Sequence, residues 1–97
     1  MELPLITHIV LMKFADKANV TEAKKRLEEL PAGIPQIKTL TVGLDVVGSE
    51  VSQDLALVTT HDSLEELKGY QSHPVHVEFG GWLRPLLESR VVVDYQS

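Results

Sequence analysis

Tyr70, His73 and His76 bring a phenol and two imidazoles into one short run, Tyr-Gln-Ser-His-Pro-Val-His, followed by Glu78, Phe79 and the Gly80/Gly81 pair. A neutral imidazole can take a proton from a carbon beside a carbonyl, and a phenol can donate a hydrogen bond to the enolate that forms. The proline sets the local geometry. The residue before a proline is steered away from αR, and proline suits the first helical position, so His73 reads as a cap and Pro74 as the start of a new helix. His76 then falls in the first turn. At about 100° per residue, Val75, Phe79, Trp82, Leu83, Leu86 and Leu87 share one apolar arc that includes His76, so its imidazole is expected to point inward.

The remaining histidines carry weaker signals. His8 sits on an apolar strand and reads as a core histidine with a satisfied ring nitrogen, unless it faces the same cavity as His76. His61 reads as a loop-edge residue, and His73 is explained by its cap position. A zinc site from His8, His73 and His76 would lack both the His-Glu-x-x-His spacing and a convergent carboxylate, so no metal is expected. No glycine-rich phosphate loop and no nucleophile-elbow serine is present.

These side chains must be positioned by a small unit. The chain has 97 residues, 43% of them hydrophobic, which suits one domain over residues 1–97 with one core. Fourteen acidic residues against nine basic ones, with Lys24, Lys25 and Arg26 the one basic run, argue against nucleic acid or an anionic membrane as partner. Without cysteine there are no disulfides, thiolate metal sites or cysteine nucleophiles, which permits a cytoplasmic location. Met1 to Pro4 show no positive region before a long apolar run, so the protein is expected to be soluble and unprocessed.

Leu5 to Phe14 is apolar on both alternating faces and predicts a strand buried on two sides. Asn19 to Pro31 predicts a helix, with a capping box at Asn19 and Glu22 and an apolar stripe of Val20, Ala23, Leu27 and Leu30. Ile37 to Val46 and Asp54 to His61 predict a hairpin. Ser63 and Glu66 cap a short helix that buries Leu64 and Leu67 and carries Tyr70 on its flank. Pro85 should break the helix that starts at Pro74, and Val91 to Tyr95 supplies a last strand. The order is β-α-β-β-α-β, an α+β ferredoxin-like arrangement: a four-stranded antiparallel sheet with helices on one face. The first and last strands are apolar on both sides, so one sheet face would stay bare. A homodimer through the sheet faces is expected, closing a dimeric α+β barrel.

The opening His8 to Phe14, the Val42/Gly43 pair, the block from Tyr70 through His73, Pro74 and His76 to Phe79, and Val93-Asp94-Tyr95 together resemble the stress-responsive A/B barrel (Dabb) domain family, in order and at matching spacings. That resemblance implies a ferredoxin-like homodimer. Family members include plant stress-induced proteins and a plant polyketide cyclase whose tyrosine and histidine form an acid/base pair for aldol-type ring closure; they match Tyr70 and His76. The resemblance puts pocket-lining residues at His8, Val10, Met12, Leu40, Leu57, His73, Phe79, Gly80 and Leu87, with Arg90 and Val92 beside them. Departures are plain: Lys24, Lys25 and Leu27 replace aromatic residues, Leu87 a tryptophan, Leu55 a histidine, and Arg90 an apolar side chain. Some members hold a cation on backbone carbonyls after the first helix, where Pro31, Ile34 and Ile37 stand.

Three readings follow. One is a cofactor-free cyclase, aldolase or isomerase acting on a small hydrophobic keto compound. Another is a module that holds a hydrophobic ligand without turnover, and the third is a stress-response protein without a ligand. A cavity of roughly 300 Å³ or more, reached by Tyr70 and His76, would favour the first two.

Overall fold

The computed structural model describes residues 5–97; Met1 to Pro4, read above for the absence of a leader, lie outside the described residues. Strand β1 (Ile6–Phe14) is followed by a 3₁₀ turn and helix α1 (Val20–Gly33), then β2 (Thr39–Leu44) and β3 (Leu55–His61). Helices α2 (Leu64–Ser72) and α3 (Pro74–Leu83), a second 3₁₀ turn (Arg84–Leu86) and β4 (Leu87–Gln96) complete the order. The strands lie as β2-β3-β1-β4 with every pairing antiparallel, so the fold is the ferredoxin-like α+β arrangement.

β1 lies between β3 and β4, and both of its faces are apolar. The side carrying Ile6, Val10, Met12 and Phe14 packs under the helices, where Ala23, Leu27 and Leu30 of α1 and Leu67 and Tyr70 of α2 complete the core. The opposite side carries Ile9 and Leu11. Register sets these beside Val58 and Ala56 on β3 and beside Val93 and Val91 on β4. Val91, Val93 and Tyr95 are 53%, 60% and 48% exposed in the single protomer, so the bare apolar face exists as a physical surface.

Local chemistry explains most element ends. Ser63 accepts a hydrogen bond from the Glu66 amide at 3.1 Å and opens α2. His73 caps α3 in extended geometry, with Nδ1 accepting from the Val75 amide at 3.1 Å, and Pro74 takes the first helical position. α3 gives way to the 3₁₀ turn before Pro85, as a ring that clashes with the preceding turn requires. Gly48, at φ 69°, makes the left-handed turn after β2, where its amide donates to Asp45 Oδ2 at 2.6 Å.

Three local expectations differ. Asn19 makes no side-chain cap because its backbone is already αR, within a 3₁₀ turn that Asp16 caps through the Ala18 amide; a cap acceptor needs extended geometry. Pro31 does not end α1. Its fixed φ suits the last turn, which runs on to Gly33 and closes with the Ile34 amide on the Leu30 carbonyl, anchored by the fully buried Ile34 side chain. Leu64 faces solvent, so α2 is held down by Leu67 and Tyr70 alone.

Ser63→Ala is expected to lower stability by about 1 kcal/mol. Asn19→Ala should stay within about 0.5 kcal/mol, because the amide it was expected to cap never depended on it. Urea unfolding followed by circular dichroism compares the two.

Candidate functional site

The site is built on one row of the sheet. Antiparallel register places His8 of β1 directly opposite Thr59 of β3 and Asp94 of β4, all on the helix-facing side. Directly opposed side chains lie close enough to interact. His8 Nδ1 hydrogen-bonds Asp94 Oδ1, joining residues 86 apart in the chain, and His8 is 1% exposed. One step along, His61 is fully buried. Its Nδ1 donates to the Gln36 carbonyl at 2.7 Å, so its Nε2 must accept from the Thr59 hydroxyl at 2.8 Å. The reading of His61 as a loop-edge residue is therefore corrected: β3 runs through it and turns its ring into the core.

Tyr70 descends from α2 onto this row. Its ring lies 5.0 Å from the His61 ring and 6.0 Å from the His8 ring. On its remaining side the His76 ring stands edge-on at 4.6 Å. The tight α2/α3 junction makes that contact possible. With one residue, His73, in extended geometry between the helices, the chain turns there and sets His76 of α3 against Tyr70 of α2.

The environment separates the two titrations. Burial lowers the His76 pKa below the usual imidazole value; a Gln71 backbone contact opposes this, and the charges of Arg90, His8 and Arg84 add to it. His76 is thus neutral at pH 7 and able to accept a proton. Burial pushes Tyr70 up to about 12, with Arg90 pulling the other way, so the phenol keeps its proton and serves as a hydrogen-bond donor.

A cavity of about 30 Å³ lies among these rings. His8, Val10, Met12 and Leu57 line its sheet side; Tyr70, His76, Phe79 and Gly80 line its helix side. Leu27, Leu83, Arg84 and Arg90 close it. Leu40 and Leu87 pack against the core outside this wall, and His73 is held away by its cap bond. Val92 is 39% exposed on β4 and also lies outside it. Leu27 and Leu83 belong to apolar helix stripes that signal only core, whereas Arg84 depends on the 3₁₀ turn that only the folded chain reveals.

The volume falls well short of the roughly 300 Å³ that would favour a catalytic or ligand-holding reading: 30 Å³ suits one or two waters. Close-packed leucines and Met12 fill what would otherwise be open space. A surface cleft of about 250 Å³ lies next to it, sharing His76, Gly80 and Arg84 with the cavity wall. Gly81 also borders that cleft, and a Cβ there would meet nothing within 4 Å. His76 therefore stands between a closed interior and an open approach. Among the described residues, no group of three or more His, Asp or Glu is placed to hold a metal, and no helix is long and apolar enough to cross a membrane.

Residues 6–97 match the Stress responsive A/B Barrel Domain family. The chain is 30% identical to olivetolic acid cyclase of Cannabis sativa, across 93% of this chain and 94% of that protein. It is 28% identical to a stress-response A/B barrel domain-containing protein of Arabidopsis thaliana, across 91% of this chain and 82% of the relative. Among solved structures, a dimeric ferredoxin-like protein of unknown function from Bacteroides fragilis is 37% identical, covers 96% of both chains and superposes with a TM-score of 0.85. A second, from Thermobifida fusca, is 29% identical with a TM-score of 0.86, across 100% of this chain and 94% of that one. Both are described as dimeric.

His61 and His76 are both held below the imidazole value, chiefly by burial. Below about pH 6.5 the unfolded chain then binds more protons than the folded one, so stability is full above that value and falls as pH drops through the lowered folded values. Urea midpoints should decrease from pH 7.5 to pH 5.0, and His61→Phe should flatten that slope. A midpoint that rises on acidification would contradict it.

Proposed function

The chain belongs to the stress-responsive A/B barrel domain family, and from that premise we propose that it is a homodimeric small-molecule pocket protein with cofactor-free acid/base chemistry at His76 and Tyr70. The observation that carries this reading is the edge-on contact of the two rings, 4.6 Å apart, at the wall of a cavity that keeps the imidazole neutral and the phenol protonated.

Neutral His76 takes a proton from a carbon flanked by two carbonyls, because an imidazole is too weak a base for an isolated ketone. The electron pair moves to a carbonyl oxygen, and the enolate accepts a hydrogen bond from the Tyr70 hydroxyl. The enolate carbon then adds to a second carbonyl carbon, forming a carbon–carbon bond, and the imidazolium returns its proton to the new alkoxide. Positioned acid/base help of this kind is worth roughly 10² to 10⁴ in rate. His8, locked to Asp94, presents a fixed polar wall beside the phenol. The relative named as an olivetolic acid cyclase supports an aldol-type closure. The 30 Å³ interior favours a substrate whose reactive end alone enters, the remainder lying in the outer cleft. That same small interior favours, as a second reading, a non-catalytic stress-response protein; a hydrophobic-ligand carrier would need the outer cleft instead.

The partner is a second copy. The uncovered face of Ile9, Leu11, Val58, Val91 and Val93 would be shielded by an equivalent sheet packed about 10 Å away. The dimeric descriptions of the two solved relatives support it. No metal or organic cofactor takes part in the proposed steps.

Against a panel of linear 1,3-diketones, poly-β-keto thioesters and the corresponding 3-oxo acids, Tyr70→Phe and His76→Ala should each lower turnover of the compounds that react by roughly 10²-fold or more, with ligand affinity held within about threefold. Unchanged turnover in both variants would remove the acid/base role and leave ligand binding. Sedimentation equilibrium should give two chain masses for the wild type and one for Val93→Lys, while Val46→Lys, on a 95% exposed loop residue, stays dimeric. A monomeric wild type would refute the pairing.

A further inference from the structure

The cavity wall carries charge opposite to that of the whole chain. The sequence has a formal net charge of -5 at pH 7. Yet among the described residues the wall holds two guanidinium groups, Arg84 and Arg90, and no carboxylate. The adjoining cleft repeats the pattern, with Arg84 on its border and no acid. Lys17, Lys24, Arg26 and Lys38 each pair with a carboxylate; among the described residues Lys13, Lys25, Lys68, Arg84 and Arg90 do not, and of these only Arg84 and Arg90 line the cavity. Asp94, two rows along β4 from Arg90 on the same face, is taken by His8.

These two arginines come from separate elements, the 3₁₀ turn after α3 and strand β4 opposite Met12, and both line the cavity. Two like charges on one wall repel each other, the more so the closer they lie. A planar carboxylate relieves that repulsion and matches the guanidinium fork through paired N–H···O bonds.

We propose that Arg84 and Arg90 bind the carboxylate of an acidic ligand, which makes small 3-oxo acids, rather than neutral ketones or esters, the substrate class of this pocket. The assignment rests on the acid/base reading of His76 and Tyr70 and names what that pair acts on. With its carboxylate on the arginines, the carbon between the carboxylate and the ketone lies toward His76, and the ketone oxygen toward Tyr70. Ion pairing also neutralises the charge that would oppose removal of a second proton from the same molecule.

The test titrates the dimer of this chain with acetoacetate and with methyl acetoacetate, following the His76 ring signals by NMR. Acetoacetate should bind at least about tenfold more tightly than its ester, and Arg84→Gln and Arg90→Gln should each weaken it by about tenfold or more while ester affinity stays within about twofold. Raising salt from about 0.05 to about 0.5 M should weaken the acid alone. Equal affinity for acid and ester, with His76 signals shifting for both, would overturn the arginine assignment and leave the acid/base site standing. Acid preference that survives both substitutions would overturn it as well. If neither probe shifts His76, the pocket reading and this inference fall together.

Discussion

Everything in this fold rests on keeping imidazoles satisfied inside a hydrocarbon core. A buried polar group without a partner costs about 1 to 3 kcal/mol, and the domain buries His8 and His61 almost completely. Each is satisfied across strands. His8 reaches Asp94, and His61 reaches Thr59 and the Gln36 carbonyl. A one-residue slip of β4 against β1 would turn Asp94 to the opposite face and strand His8. The polar row therefore enforces the register of the sheet that carries it, and the rigid platform beneath Tyr70 is a by-product of that enforcement.

On that platform the same burial has opposite consequences for two neighbouring groups. Taking an imidazole out of water favours its uncharged form, and taking a phenol out of water also favours its uncharged form; the first becomes a ready acceptor and the second a firm donor. One cause thus supplies both halves of an acid/base pair. Arginines at the rim act differently, since they bring charge to a wall that the remainder of the chain leaves neutral. The division is spatial: protonation states are set by depth, and positive charge lies at the margin.

What could be read in the sequence was whatever depends on neighbours along the chain. His73-Pro74 announced the helix junction and Ser63 with Glu66 announced α2, each because the deciding contacts lie within four residues, while alternation along each strand announced the hairpin. The order of elements then fixed the ferredoxin-like arrangement. What stayed hidden depends on register or packing. His61 looked peripheral because only pairing opposite Ile6 shows which way it faces. Asn19 looked like a cap because spacing does not reveal that the preceding 3₁₀ turn had already bent the backbone. The size of the cavity is a difference between large volumes, the side chains and the space that encloses them, and no local pattern encodes it. Arg84 joins the wall through a turn whose geometry is dictated by Pro85 and completed only when β4 docks.

The placement of β1 has a consequence for how the molecule is born. This strand leaves the ribosome ahead of every other described element, yet it occupies the interior of the sheet, and its polar partner Asp94 lies on the last strand. Until β4 is made, one edge of β1 is unpaired and His8 has no carboxylate. Closing so distant a pairing is entropically costly and slow. The nascent chain must therefore carry an open, sticky edge until β4 is made, and the polar row beneath Tyr70 can close only then.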